Sequence, residues 1–184
     1  MTAPLLVFGW GNPSRGDDAL GPLFVAQLRA SLDEAGVHGV EFLEDFQLQV
    51  EHALDLLGRR HVLFVDASLD CTAPFETTTL QAARDTSFTT HAMSPEAVLQ
   101  VFRDLYRTEP PSCTQLAIRG TAFGLGEPAG DAALANLALA LAWGRRWVAS
   151  SGLADMTAVP NPFGASATSL TGSGSVTCTG TGCN

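Results

Sequence analysis

The chain has 184 residues, 46% of them hydrophobic and 16% charged, which suits one folded domain with a sizeable core rather than a disordered polymer. A formal net charge of -9 and a pI near 4.7 exclude nucleic acid and anionic membrane surfaces as partners in the absence of a basic patch, and none is found. No run of 18 apolar residues is free of charge, and the start MTAPLLVFGWGN lacks a basic region followed by an apolar stretch and a cleavage site, so a soluble, cytoplasmic protein with no membrane attachment is expected.

The apolar run PLLVF, residues 4 to 8, predicts a buried strand that ends at the cluster Gly9, Gly11 and Gly16. A helix follows, with Asp17 and Asp18 as capping carboxylates, Pro22 in its first turn, Leu20, Phe24, Leu28 and Leu32 at helical spacing, and Gly36 as its stop. The alternation then repeats, with VEFLED (40 to 45) as strand, QVEHALDLLG (49 to 58) as helix and HVLFVDAS (61 to 68) as strand. The β-branched stretch ETTTLQ (76 to 81) reads as an extra strand, antiparallel at an edge. Ser94 and Pro95 begin the helix EAVLQVFRDLY, CTQLAIRGT is a strand, and GDAALANLALALAWGRRWVA is the closing helix. This order predicts an α/β fold: a three-layer sandwich whose twisted, mostly parallel sheet of about five strands carries helices on both faces. The expected domain covers residues 1–150. Residues 151–184 are expected to be a polar, disordered tail or a segment foreign to the domain, because TSLTGSGSVTCTGTGCN has no charge and almost no large apolar side chain with which to offset its ordering entropy.

The loop G-W-G-N-P-S-R-G after the first strand suggests a phosphate cradle, but the glycine spacing departs from G-x-G-x-x-G and two carboxylates stand where an anion would sit. One capping oxygen satisfies a helix start, so the second acid is left free at the carboxyl end of a strand, where open α/β sheets gather ligands. Asp66 ends the apolar run VLFVD and should emerge at the same rim. His91 lies three residues before the Ser94 cap. Each has an ordinary reading, as a cap, a turn former or a loop histidine. Together, Asp18, Asp66 and His91 offer two carboxylates and an imidazole, a set suited to a borderline divalent transition ion rather than magnesium or calcium. His52, inside a predicted helix, His61, at a strand start, and His38 are weaker candidates. Cys71, Cys113, Cys178 and Cys183 show no paired C-x-x-C spacing, and Cys71 is the one thiol placed where a nucleophile would be. The chain has no serine nucleophile elbow and no H-E-x-x-H helix.

The pattern G-x-G-N-x-x-x-x-D-D-x-x-G, here Gly9, Gly11, Asn12, Asp17, Asp18 and Gly21, resembles that of the maturation proteases that process the large subunit of [NiFe] hydrogenases. The likeness runs over residues 4 to 149, through the VDA at Asp66 and a histidine eight residues before Leu99. It implies a twisted sheet sandwiched by helices and an endopeptidase that removes the C-terminal extension of the large-subunit precursor once nickel is inserted. It also implies Asp18, Asp66 and His91 as nickel ligands, with Asp18 and Asp66 available for catalysis and the loop residues Gly9, Gly11, Asn12 and Asp17 open to substrate. The nickel arrives with the precursor, so no tightly held permanent metal is expected. The R-G-D-D form and the segment EDFQLQVEH are most similar to the branch serving soluble, cofactor-reducing hydrogenases. Two departures stand out: Glu44-Asp45-Phe46-Gln47 replaces the glycine-rich turn of many relatives, and position 18 is aspartate where some carry glutamate. The rival reading is a non-catalytic nickel carrier or metal-dependent binding module for the same precursor.

Overall fold

The computed structural model describes residues 2–84 and 93–151. Five strands, β1 (Leu5–Trp10), β2 (Val40–Asp45), β3 (His61–Ser68), β4 (Phe75–Thr79) and β5 (Ser112–Arg119), form one sheet in the order β2-β1-β3-β5-β4. β1, β2, β3 and β5 are parallel, whereas β4 lies antiparallel to β5 at the edge. Three helices, α1 (Leu20–Glu34), α2 (Pro95–Tyr106) and α3 (Asp131–Ser150), complete the α/β alternation expected from the sequence.

Period-two side-chain alternation sorts the strands' apolar residues onto two faces. Leu5, Val7, Leu63, Val65, Leu116 and Ile118 join Phe24, Leu28, Leu137 and Leu141 in a core beneath α1 and α3. Leu6, Phe8, Val62, Phe64 and Cys113 face the other way, against Val98, Leu99 and Phe102 of α2. The central strands bury side chains on both faces, which is why they read as unbroken apolar runs. Among the described residues no helix is long and apolar enough to cross a membrane.

Two elements differ from the sequence expectation. Residues Val50–Leu56 form a 3-10 segment in place of the helix over 49 to 58. Ala53 and Leu56, three residues apart, are its buried anchors, and Leu57 is already extended ahead of Gly58 at φ 78°, so the chain completes tight turns rather than an α-helix. At the other site, a separate 3-10 turn, Gly16–Ala19, precedes α1, and neither Asp17 nor Asp18 caps that helix. Both carboxylates have other partners, described below. The start of α2 is as expected: the Ser94 hydroxyl oxygen accepts the Ala97 N–H at 3.2 Å, with Pro95 at the first helical position.

The glycine loop lets α1 sit almost directly on β1. A Cβ at Gly9 would fall on the Gly21 carbonyl, and one at Gly21 would fall on the Trp10 carbonyl and lie 2.9 Å from the Val65 carbonyl oxygen. Backbone offers nothing that can rotate aside. Gly21→Ala should therefore destabilise the fold by about 1–3 kcal/mol, read as a lower urea midpoint at unchanged m-value; an unchanged midpoint would show that α1 can back away without cost.

Candidate active site

The carboxyl ends of β1 and β3 meet at one rim. Gly11, at φ 139°, turns the chain out of β1, and a side chain there would strike the Asp18 carbonyl. The turn continues through Asn12, whose Oδ1 accepts the Ser14 N–H at 2.9 Å and whose own N–H donates to Asp18 Oδ2 at 3.0 Å. That bond holds the partly exposed Asp18 carboxylate back over the loop.

The adjacent Asp17 behaves quite differently. It is 1% exposed, and its carboxylate accepts three backbone N–H groups from the loop between β5 and α3: Thr121 at 2.7 Å and Ala122 at 2.9 Å on Oδ2, and Gly130 at 2.8 Å on Oδ1. Burial alone would raise its pKa, but the three donors outweigh that penalty and leave it below the ordinary value. Gly9 is buried within β1, so of the loop residues considered open to substrate, Asn12 is the one with partial exposure.

Asp66 ends the apolar part of β3 and is partly buried. Desolvation pushes its carboxyl up to about 7; the Ala67 N–H, donating to Oδ1 at 2.8 Å, opposes the rise, the negative charge of Asp18 adds to it, and a hydrogen bond from the Trp10 side chain opposes it. Asp18 and Asp66 are thus electrostatic neighbours although 48 positions separate them in the chain. Trp10 was not among the residues read from sequence. The signal was nonetheless present, because positions 10 and 66 share the parity of Phe8 and Phe64, which places both on the α2 face of neighbouring strands.

His91 lies outside the described residues, as do Cys178 and Cys183. Among the described residues no three histidine, cysteine, aspartate or glutamate side chains cluster as a metal site. The competing histidines are engaged or distant. His52 Nδ1 accepts the Gln49 N–H at 2.9 Å and its Nε2 lies 3.3 Å from Asp45, while His61 begins β3 at the end opposite Asp66. Cys71 and Cys113 are buried free thiols. Burial pushes the Cys113 thiol up to about 12, which leaves no thiolate at neutral pH. A groove of about 360 Å³ flanks the site, lined by Gly11, Pro13, Pro22, Glu44, Asp45 and the exposed Phe46.

Two carboxylates, one of them desolvated and raised by its neighbour, are a pair that a cation would relieve. Without one, the raised pKa sets a sign for stability. The native state holds the Asp66 proton more tightly than the unfolded chain, so this contribution is complete below the ordinary value of 3.8 and is lost as pH rises towards about 7. Asp66→Asn should therefore be more stable than the parent at pH 8 by roughly 2–4 kcal/mol, with the gain fading towards pH 4. Denaturant titrations at the two pH values check this, and an equal gain at both would remove the electrostatic cause.

The sequence matches no protein-family profile and no curated protein. Solved structures match the fold over most of the chain. The hydrogenase maturating endopeptidase HybD of Escherichia coli is 21% identical, with a TM-score of 0.62 over 80% of this chain and 93% of that one. The endopeptidase HycI of Escherichia coli is 18% identical with a TM-score of 0.57 over 83% and 94%. The [NiFe] hydrogenase maturation protease HycI of Thermococcus kodakarensis is 17% identical with a TM-score of 0.56 over 81% and 92%. The chain has the fold of the [NiFe] hydrogenase maturation proteases.

Proposed function

We propose that this protein is an endopeptidase that removes the C-terminal extension of a [NiFe] hydrogenase large-subunit precursor after nickel insertion. The observation that carries the reading is the juxtaposition of Asp18 and Asp66 at the carboxyl rim of a sheet with the maturation-protease fold, with the Asp66 carboxyl raised to about 7. Nickel belongs to the substrate. Asp18 and Asp66, with His91 as the third ligand, supply donors that complete the coordination of an ion already held by the precursor and make cleavage conditional on its presence.

Amide hydrolysis needs a base that takes a proton from water as the oxygen adds to the carbonyl carbon, and an acid that returns a proton to the departing amine. A single carboxyl can serve both steps in turn, and Asp66, beside Asp18, is the group assigned to them. Asp18 lies beside it and helps to hold the metal-bearing segment in register. The groove along Gly11, Pro13 and Phe46, which opens beside the turn that carries Asp18, could receive an extended stretch of precursor. The assignment to the branch serving soluble, cofactor-reducing hydrogenases rests on the R-G-D-D and EDFQLQVEH residues.

Asp18→Ala, Asp66→Ala and His91→Ala should each lower the rate of cleavage of nickel-loaded precursor by at least ~100-fold while the circular dichroism spectrum is retained, and precursor without nickel should stay intact. Mass spectrometry of the product decides between the readings. A shortened large subunit means protease, whereas a stable complex with full-length precursor means the nickel carrier. Equal cutting of metal-free precursor would falsify the role given to nickel.

A further inference from the structure

The paired aspartates of the first motif do different work. Asp17 is the buried charged residue among those described, and its carboxylate is directed into the loop that joins β5 to α3. That loop is stitched to the glycine loop on both sides of the carboxylate. Asp17 N–H donates to the Ala122 carbonyl at 2.7 Å, Gly16 N–H to the Glu127 carbonyl at 2.9 Å, Gly126 N–H to the Ser14 carbonyl at 2.7 Å, and Arg15 Nε to the Phe123 carbonyl at 3.2 Å. Glycines make the approach close: a Cβ at Gly120 would lie 2.8 Å from the Asp17 Cβ, and one at Gly16 would fall on the Ala122 carbonyl. Asp18 follows directly in the same 3-10 turn, tied at its N–H to the Arg15 carbonyl at 3.2 Å and at its carboxylate to Asn12. The placement of Asp18 is therefore inherited from a turn whose far side is nailed down by Asp17.

We infer that Asp17 is a positioning residue, whose carboxylate clamps the loop of residues 120 to 130 against the glycine loop and thereby fixes where Asp18 stands relative to Asp66. This rests on the proposed peptidase reading for its kinetic consequence, though the clamp itself is independent of it. A helix cap, the usual role of an acid at this point in a chain, would hold one local N–H. Here three N–H groups from more than 100 positions away converge on a single carboxylate, each bond charge-assisted and sheltered from water. An asparagine of the same shape cannot replace it, since its amide nitrogen would face a donor with a donor.

The test uses the full-length protein and nickel-loaded precursor. Asp17→Asn should lower kcat by ~10–100-fold, the scale of a small misplacement of reacting groups, and raise KM as well because Asp18 also helps to hold the precursor. Amide hydrogen exchange at Thr121, Ala122 and Gly130 should accelerate in the same variant. A Cβ at Gly120 would lie 2.8 Å from the Asp17 Cβ, so Gly120→Ala presses the same loop away from the carboxylate without altering the carboxylate itself. Alone it should reduce kcat severalfold. Combined with Asp17→Asn it should cost little more than Asp17→Asn alone, because the two changes loosen the same contact.

Wild-type kcat in a folded Asp17→Asn protein with loosened loop amides would overturn the inference, as would fully additive losses in the double variant. If Asp17→Asn does not fold, Gly120→Ala alone decides, with wild-type kcat as the overturning result. Failure of the parent protein to cut any precursor would instead count against the peptidase reading, and unchanged exchange at the three amides would then count against the clamp.

Discussion

One carboxylate joins the two ends of this domain. Asp17, 17 residues from the start of the chain, accepts N–H groups from Thr121, Ala122 and Gly130, so the first loop of the sheet and its last loop share a buried anion. A buried charge is costly unless its lone pairs are used. The backbone meets that cost here, and because peptide groups cannot be moved without moving the loops that carry them, the anion sets the spacing of the whole rim. The close seat of α1 on β1 through Gly9 and Gly21 serves the same end from below. Between them the two constraints leave the turn at Gly11 to Ala19 little freedom.

Against this rigid frame, Asp18 and Asp66 stand in deliberate tension. Two like charges near one another, one of them desolvated, raise the free energy of the ionised pair, and Asp66 responds by holding its proton to near neutrality. The tension is localised. Asp45 and Glu44, the other acids at the rim of the groove, have cationic or imidazole neighbours in Arg29 and His52. The pair at the ends of β1 and β3 has no such neighbour among the described residues, which is what makes it the candidate centre rather than one more acidic patch on an acidic protein.

Most of the fold was legible because the apolar pattern has one meaning at each element. Leu20, Phe24, Leu28 and Leu32 recur at helical spacing and are all buried, and the doubly buried runs at β1 and β3 have no amphipathic alternative. The segment at 50 to 56 was ambiguous for a physical reason: Ala53 and Leu56 fit a turn of three residues as well as one of 3.6, and only the tertiary seat selects between them. The rim was legible in part. Strand ends and the acid pair flagged Asp18 and Asp66, yet nothing local distinguishes Asp17 from Asp18, since the partners that bury Asp17 lie beyond residue 120. Its assignment as a cap failed because a local rule was applied to a residue governed by long-range contacts. Trp10 was hidden only by its aromatic character, which draws attention to packing before polarity.

The antiparallel strand β4 closes the sheet with a row of main-chain groups turned outward, an arrangement that invites stacking of one molecule on another. Its residues Glu76, Thr77, Thr78 and Thr79 are all exposed and polar, and the Glu76 carboxylate accepts the Thr72 N–H at 2.9 Å. A second copy docking along this strand would have to strip water from that charge and meet an identical one beside it. The strand is also only five residues long. Short length, hydroxyls and a negative charge thus make this edge a poor template for the addition of a further strand.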